Sequence, residues 1–383
     1  MDTSANVSPS TRDIIHAGLQ NISRSKELIA DVCNAGDLDV TGMQLLAQLA
    51  DSEDPDTALS TLRDLLLDLH ARDLQLRTLL ESHSAHTLIQ VLGASSQLGM
   101  LMRSRPELIR AAGIDPDRQA DYTAEQRTAA MLDAIGARTD TLTTVSGDTI
   151  ERIVTSTPLA DATNALRLNY YEQLSAIMAK DVTANDPIDI QPTISRALSD
   201  LADAALEGAL AIALSNVKES ERLRFTIIGM GKLGAQELNY VSDVDLIYVV
   251  EPVDEDLTQS ALTKIGSKIA MLMQKICQSV MPGVTEPSLW QIDGALRPEG
   301  KDGPLVRRLD SHKAYYEQWA ENWEFQALLK ARAVAGARQL GDDYMSMASS
   351  FVWQAAQRKA FVYDCQRLRE RVETLLAPAM RAR

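Results

Sequence analysis

The sequence contains little cysteine, few aromatic residues and no long hydrophobic run. Cys33, Cys277 and Cys365 are odd in number and far apart, which excludes a disulfide framework and a zinc-ligand spacing. Aromatic residues make up 4% of the 383 positions, so the core must be built mainly from aliphatic side chains. No apolar run approaches the ~20 residues that span a membrane, and no secretory signal is visible in the N-terminal residues. We therefore expect a cytoplasmic protein without membrane contact.

Basic charge is scarce in the first half of the chain. Residues 1–190 carry 15 Lys and Arg against 28 Asp and Glu, whereas residues 191–383 carry 23 against 25. Binding to nucleic acid requires a basic surface that neutralises phosphates, so the composition argues against a nucleic-acid partner. Cations cluster only later, between Arg297 and Lys313 and again at Lys330 and Arg332. These cations either form a solvated face or bind phosphate.

Helical periodicity dominates the chain from Thr11 for roughly 170 residues, without a competing strand signal. Leucines at three- and four-residue spacing predict a helix over 56–81, and similar patterns predict helices over 123–144 and 157–181. Two prolines interrupt residues 182–193, after which an alanine-rich helix is expected. We divide the chain into disordered residues 1–10, an acidic helical region 11–190, a catalytic core 191–340 and a C-terminal helical extension 341–383.

The stretch from Leu223 to Val250 has the pattern strand, glycine turn, short helix, strand. Asp243 and Asp245 stand at the start of its second strand, where alternation of side chains directs both to the same face. Two carboxylates at such a short distance resist ionisation unless a cation lies between them. Carboxylate oxygens are ligands that suit Mg²⁺. A third predicted strand carries Asp293 and would complete a site for two Mg²⁺ ions, or Mn²⁺ in their place.

Two other interpretations of this stretch have to be weighed. The segment from Gly229 to Gly234 also satisfies the dinucleotide spacing G-x-G-x-x-G. A dinucleotide fold, however, needs a crossover of a dozen or more residues between parallel strands, whereas eight residues separate Gly234 from Asp243. The spacing therefore favours neighbouring antiparallel strands. Alternatively, the aspartates only solvate the end of a strand. The glycine turn just before them makes this the weaker explanation.

Three long segments, at 229–249, 292–307 and 315–336, resemble the glutamine synthetase adenylyltransferase/adenylyl-removing family. Weaker matches lie at 91–109 and 166–182. The resemblance implies an α+β chain that is predominantly helical and carries a small nucleotidyltransferase sheet of the kind found in DNA polymerase beta. Members have two such catalytic halves, one attaching AMP to a tyrosine of glutamine synthetase and the other removing it with inorganic phosphate to release ADP.

Two short segments resemble the AMP-removing half, namely residues 237–240 (Glu-Leu-Asn-Tyr) and 303–306 (Gly-Pro-Leu-Val). We therefore expect an N-terminal half whose natural chain continues beyond residue 383, with the transferring half and a non-catalytic docking module as alternatives. The sequence departs from the family at Ala235, where a second glycine is common, and at Ala295, where an arginine is common. An arginine function at residue 295 is therefore not implied.

The resemblance also implies functions for individual residues and partners. Asp243, Asp245 and Asp293 would be catalytic and hold the metal ions. Adenylylated glutamine synthetase, phosphate, and ADP or AMP are the implied substrates and products, and a signal protein of the PII type is an implied regulator. The residues expected to bind phosphate or nucleotide are Gly229, Gly231, Lys232, Gly234, Ser242, Arg297, Lys330 and Arg332, although the last three have structural ion pairs as an equal alternative.

Overall fold

A computed structural model describes residues 9–38, 40–76, 79, 85–113, 121–143, 147, 149–254 and 256–380. Residues 1–8 of the segment expected to be disordered lie outside the described residues. Ser10 is the N-cap of the first helix, because its hydroxyl accepts a hydrogen bond from the Asp13 N–H and the Asp13 carboxylate accepts one from the Ser10 N–H.

Amphipathic helices make up the first described part of the chain. The helix predicted from Asp56 is present, but it ends at Ala71, and it buries leucines on one face at the spacing the sequence shows. Residues 77, 78, 80 and 81 of that prediction lie outside the described residues. The helices here are α1 (Thr11–His16), α2 (Ile22–Ala35), α3 (Gly42–Ala50), α4 (Pro55–Ala71), α5 (Ala85–Ala94), α6 (Ser96–Ser104) and α7 (Glu107–Gly113).

A two-stranded hairpin interrupts the region expected to be wholly helical. Helix α8 (Ala124–Ala134) is followed by β1 (Ala137–Thr143), which pairs antiparallel with β2 (Thr149–Thr155). The predicted helix over 123–144 is therefore wrong over residues 137–143, and residue 144 lies outside the described residues. The hairpin strands are rich in threonine, a β-branched residue that favours extended backbone over helix.

Two long helices follow the hairpin. Helix α9 (Leu159–Val182) confirms the helix expected over 157–181. The break after it is shorter than predicted, because α10 (Pro187–Asn216) already begins at the first proline and contains Pro192 within its first two turns. Proline at the first position, Pro187, costs little, since the N–H groups of the first turn have no intrahelical partner, whereas Pro192 lies inside the helix and removes one backbone hydrogen bond.

The chain folds into two compact units. One comprises Met1–Thr123 with Tyr170–Ala197, and the other Ala124–Asn169 with Leu198–Arg383. The second unit contains a mixed sheet in the order β5-β4-β3-β7, with β6 also paired to β4. Its strands are β3 (Leu223–Gly229), β4 (Val244–Pro252), β5 (Ile292–Asp293), β6 (Val306–Arg307) and β7 (Arg332–Gly336).

Helices bury β4 on both of its faces. Ile247 and Val249 belong to an apolar cluster that includes helix residues such as Tyr344, whereas Tyr248 and Val250 face the helix after β4. A helical chain with this small mixed sheet is an α+β protein, as predicted. Among the described residues no helix is both long and apolar enough to span a membrane. The remaining helices are α11 (Gly231–Gly234), α12 (Gln259–Gln278), α13 (Leu309–Gln318), α14 (Asn322–Leu328), α15 (Arg338–Ala356) and α16 (Phe361–Met380).

Candidate active site

The glycine turn connects two strands that are antiparallel neighbours. β3 pairs with β4 so that Gly229, at the end of β3, lies opposite Leu246. The connection contains α11, a helix of a single turn. The predicted antiparallel arrangement is therefore confirmed. The dinucleotide alternative for the G-x-G-x-x-G spacing is excluded, because that fold requires parallel strands and a long crossover.

Gly231 brings the turn into direct contact with Asp245. Its φ of +55° lies in the left-handed region that favours glycine. A Cβ at residue 231 would lie 2.3 Å from Oδ2 of Asp245, so any side chain would displace the carboxylate. The main chain adds a second contact, because the Met230 N–H donates to the carbonyl oxygen of Asp245 at 2.8 Å. Glycine is thus needed at residue 231 for both its conformation and its size.

The structure brings the three predicted aspartates to one edge of the sheet. β5 pairs parallel with the start of β4, and Asp293 is the register partner of Asp245. Asp243 stands one residue before β4 and is exposed, whereas Asp245 and Asp293 are partly buried. The Asp293 carboxylate also accepts a hydrogen bond from the Ala295 N–H at 2.7 Å, which restrains it at the strand end.

The three carboxylates are coupled electrostatically. Burial raises the pKa of Asp245, and the charges of Asp293 and then Asp243 raise it further, while Lys232 lowers it. A carboxyl group in this position ionises readily only when a cation compensates its neighbours. The electrostatics of the strand ends therefore favour the binding of a cation.

The residues present fit a divalent metal by their chemistry. All three groups offer hard oxygen donors, which Mg²⁺ prefers, and the lack of a Cβ at Gly231 accommodates the Asp245 carboxylate in its place. Within the described ranges, however, no three His, Cys, Asp or Glu side chains are grouped closely enough to hold a metal ion. The carboxylates are thus neighbours, and their side chains would have to move closer together to bind one ion.

Lys232 and Ser242 lie beside this acidic edge. The Lys232 ammonium donates to the Ser242 hydroxyl at 3.3 Å, and the hydroxyl donates to the side chain of Asn239. Lys232 is exposed, yet its charge acts on Asp245. The structure therefore brings both residues to the place where the sequence predicts them.

Arg297 is committed to the loop that follows Asp293. Its guanidinium donates to three backbone carbonyls of that loop, namely Gly294 at 2.6 Å, Lys301 at 3.2 Å and Gly303 at 3.2 Å. Its Nε donates a further bond to Gly303 at 3.3 Å. These contacts favour a structural function for Arg297 over phosphate binding. In that structural function Arg297 closes the loop over residues 294–303.

Lys330 and Arg332 both form ion pairs. Lys330 contacts Glu237 at 2.6 Å, with side chains that are 48% and 59% exposed. Exposed pairs of this kind contribute little to stability. Arg332 forms a bidentate pair with Asp203 and donates to the carbonyls of Leu233 and Gly234. Gly234 is needed for packing, since a Cβ there would lie 1.8 Å from the Lys330 carbonyl oxygen.

Sequence reasoning missed the acidic side of helix α10. Asp200 accepts a hydrogen bond from Gln236, Asp203 pairs with Arg332, and the Glu207 carboxylate accepts one from the Gly336 N–H. Burial raises the pKa of Asp203 to about 7, although the ion pair with Arg332 opposes the shift. A signal was present, because acidic residues at spacings of three and four recur on this otherwise alanine- and leucine-rich helix.

The sheet, the glycine turn and the coupled aspartates define an α+β protein with a nucleotidyltransferase-like domain. A family model described as glutamate-ammonia ligase adenylyltransferase matches residues 85–347. Together with the relatives described next, this match shows that the chain belongs to that family.

Three bacterial relatives, each named bifunctional glutamine synthetase adenylyltransferase/adenylyl-removing enzyme, are similar over most of the chain. The protein from Bifidobacterium longum subsp. infantis is 53% identical over 98% of this chain and 34% of its own length. The protein from Cutibacterium acnes is 40% identical over 86% of this chain and 32% of its own length. The protein from Corynebacterium glutamicum is 36% identical over 91% of this chain and 34% of its own length. The chain thus spans about a third of the length of these relatives.

Proposed function

We propose that this chain is the half of the enzyme that removes AMP from adenylylated glutamine synthetase. Inorganic phosphate is the acceptor, and ADP and the free tyrosine are the products. The main support for this proposal is the register pairing of Asp245 with Asp293 beside the glycine turn. The residues at 237–240 and 303–306 support the removing half, because they resemble its motifs rather than those of the transferring half.

The reaction exchanges one phosphorus–oxygen bond for another. An oxygen of phosphate forms a bond to the AMP phosphorus, the bond to the tyrosine oxygen breaks, and the phenolate receives a proton. Asp243, Asp245 and Asp293 would hold divalent metal, which when bound would neutralise the negative charge that gathers on the transferred group. Tyrosine has an ordinary pKa near ~10, so neutralising its departing oxygen matters more than protonating it early.

The side chains and main chain of the turn position the phosphate groups. N–H groups at a glycine turn can donate hydrogen bonds to phosphate oxygens, and Gly231 adds no side chain that would stand between the turn and Asp245. The Lys232 ammonium lies where it offsets the charge of Asp245 and can meet an oxygen of the substrate. Ser242, bonded to both Lys232 and Asn239, holds that ammonium in place.

The cellular setting follows from this function. Glutamine synthetase is the protein substrate, a regulator of the PII type is the proposed source of the nitrogen signal, and the reaction takes place in the cytoplasm. The acidic helical region is the proposed contact surface for a protein partner, since residues 1–190 carry most of the net negative charge.

Two incubations test the assignment of the half. Purified chain with adenylylated synthetase, phosphate and Mg²⁺ should release ADP, whereas chain with unmodified synthetase and ATP should incorporate no AMP. Incorporation of AMP without ADP release would reverse the assignment. Calorimetry of ADP binding with and without Mg²⁺ tests the docking alternative, because a docking module would show no metal-dependent nucleotide binding.

A further inference from the structure

Arg332 contacts the glycine turn at both of its ends. Its main chain pairs with Gly229, the last residue before the turn. Its guanidinium donates to the carbonyl oxygens of Leu233 at 3.0 Å and Gly234 at 3.3 Å, the last residues of α11. A cation is favoured at the C-terminal end of a helix, where the carbonyl groups point outward. One side chain therefore fixes where the turn begins and where it ends.

Asp203 fixes the orientation of this guanidinium. Its two carboxylate oxygens accept from the two terminal nitrogens of Arg332, with 3.1 Å between Nη2 and Oδ1. The side chains are only 14% and 28% exposed, so water competes weakly with the pair. A bidentate pairing sets the plane of the guanidinium as well as its distance. The remaining donors of Arg332 are thereby aimed at the turn.

Helix α10 holds the end of the turn at two further points. The Gln236 side chain donates to Asp200 at 2.9 Å, and the Leu238 N–H donates to the Ser199 hydroxyl at 3.3 Å. On the opposite side the turn contacts Asp245 through Met230 and Gly231. The turn thus lies between the polar side of α10 and the candidate metal-binding carboxylate.

We propose that Asp203 and Arg332 are positioning residues that set the glycine turn against Asp245. The proposal rests on the proposed function, because the turn and the carboxylate are the parts that it assigns to phosphate and metal. Arg332 then acts through the backbone of the turn and does not bind phosphate itself. Loss of the pair lets the turn shift, which misaligns its N–H groups with the carboxylates without removing a group that touches the substrate.

Two conservative variants test this inference in the ADP-release assay. Asp203→Asn keeps the size but removes the charge, and Arg332→Lys keeps the charge but loses the planar fork. We expect kcat to fall by about tenfold to a hundredfold in each, as small misplacements near reacting groups do. The KM for phosphate should stay within about twofold, since no phosphate ligand is lost. Arg222→Lys is the matched control, because Arg222 lies just before β3 and pairs with the exposed carboxylates of Glu219 and Asp256.

Hydrogen exchange supplies a readout that does not depend on the reaction. In both variants the amides of residues 230–238 should exchange about tenfold faster than in the unmodified chain, while those of β4 stay unchanged. If the unmodified chain releases no ADP, the proposed function is wrong. The exchange comparison still tests in that case whether the pair holds the turn.

Three outcomes would overturn the inference. A rise in the KM for phosphate in Arg332→Lys with no effect of Asp203→Asn would make Arg332 a phosphate ligand. Exchange that rises equally in β4 would mean that the pair holds the whole domain. Exchange of the turn that matches the Arg222→Lys control would mean that the pair does not hold the turn.

Discussion

Asp245 and Asp293 are register partners across the parallel pair of β4 and β5. Side chains directly opposite each other on neighbouring strands project from the same face of a sheet. The charge of Asp293 is accordingly the largest cause, after burial, that raises the pKa of Asp245. Two separate segments of the chain thus meet as one acidic group, and changing either aspartate changes the chemistry of the other.

Asp293→Asn should reduce ADP release by at least about a hundredfold, because the stabilisation that metal ions give a transition state amounts to several kcal/mol. The fold should survive, since the Asn side chain can still accept the hydrogen bond from the Ala295 N–H. The measurement is kcat at saturating Mg²⁺, with the thermal midpoint as a check on folding. Asp302→Asn, an exposed residue of the following loop, is the matched control and should keep full activity. Full activity of Asp293→Asn would show that Asp293 is not part of the active site.

Gly231→Ala should impair activity more than stability. The added Cβ would lie 2.3 Å from Oδ2 of Asp245, so the carboxylate has to move, and the left-handed backbone adds about 1–2 kcal/mol of strain. Gly36→Ala separates the two effects, because Gly36 has a φ of +73° but no atom within 4 Å of its Cβ position. Urea unfolding should show similar losses of stability in the two variants, and only Gly231→Ala should lose ADP release. Equal activities would mean that contact with Asp245 is unimportant.

The site could be predicted from the sequence where its parts are close in the chain. β3, the glycine turn and β4 are consecutive, so strand periodicity and the two glycines indicated the arrangement around Asp245. Asp293 was placed on a third predicted strand near this site. Its exact register opposite Asp245 depends on pairing across nearly fifty residues, which no local pattern encodes.

The missed features are those that depend on distant partners or on weak local patterns. The sequence leaves Arg332 between phosphate binding and a structural ion pair, because its partner Asp203 lies 129 residues away and the pairing leaves no trace in sequence spacing. The hairpin of β1 and β2 was missed because β1 is mostly exposed and its alternation is polar on both faces. Threonine content was the available signal, since β-branched residues favour strands.

Arg167→Met should destabilise the domain strongly. Arg167 is 1% exposed and donates to the carbonyl oxygens of Ile276, in the last turn of α12, and of Ser279 and Glu286, which lie between α12 and the strand that carries Asp293. Removing it leaves buried carbonyls without donors, which costs about 3–5 kcal/mol when several bonds are lost together. Urea unfolding gives the free energy of unfolding. Lys264→Met, at an exposed position of α12, should change it by no more than about 0.5 kcal/mol.

The pH dependence of the chain should reflect Asp203. Burial raises its pKa to about 7, whereas the unfolded chain has an ordinary carboxyl pKa near ~3.9. Between these values the native state binds more protons, so the contribution of Asp203 to stability falls as the pH rises from about 4 to 7. In the native state the charged form that pairs with Arg332 becomes dominant only above about pH 7. We therefore expect kcat to rise through pH 7 while the stability contributed by this group falls.

Comparison with Asp203→Asn isolates this titration from those of the other carboxylates. Asp200, whose charge also raises the pKa of Asp203, remains in both proteins. The step in kcat near pH 7 should be present in the unmodified chain and absent in the variant. The unmodified chain should lose stability relative to the variant between about pH 4 and 7, because over that range its buried carboxyl keeps a proton that the unfolded chain has released. Identical pH profiles for the two proteins would show that ionisation of Asp203 controls neither the turn nor the reaction.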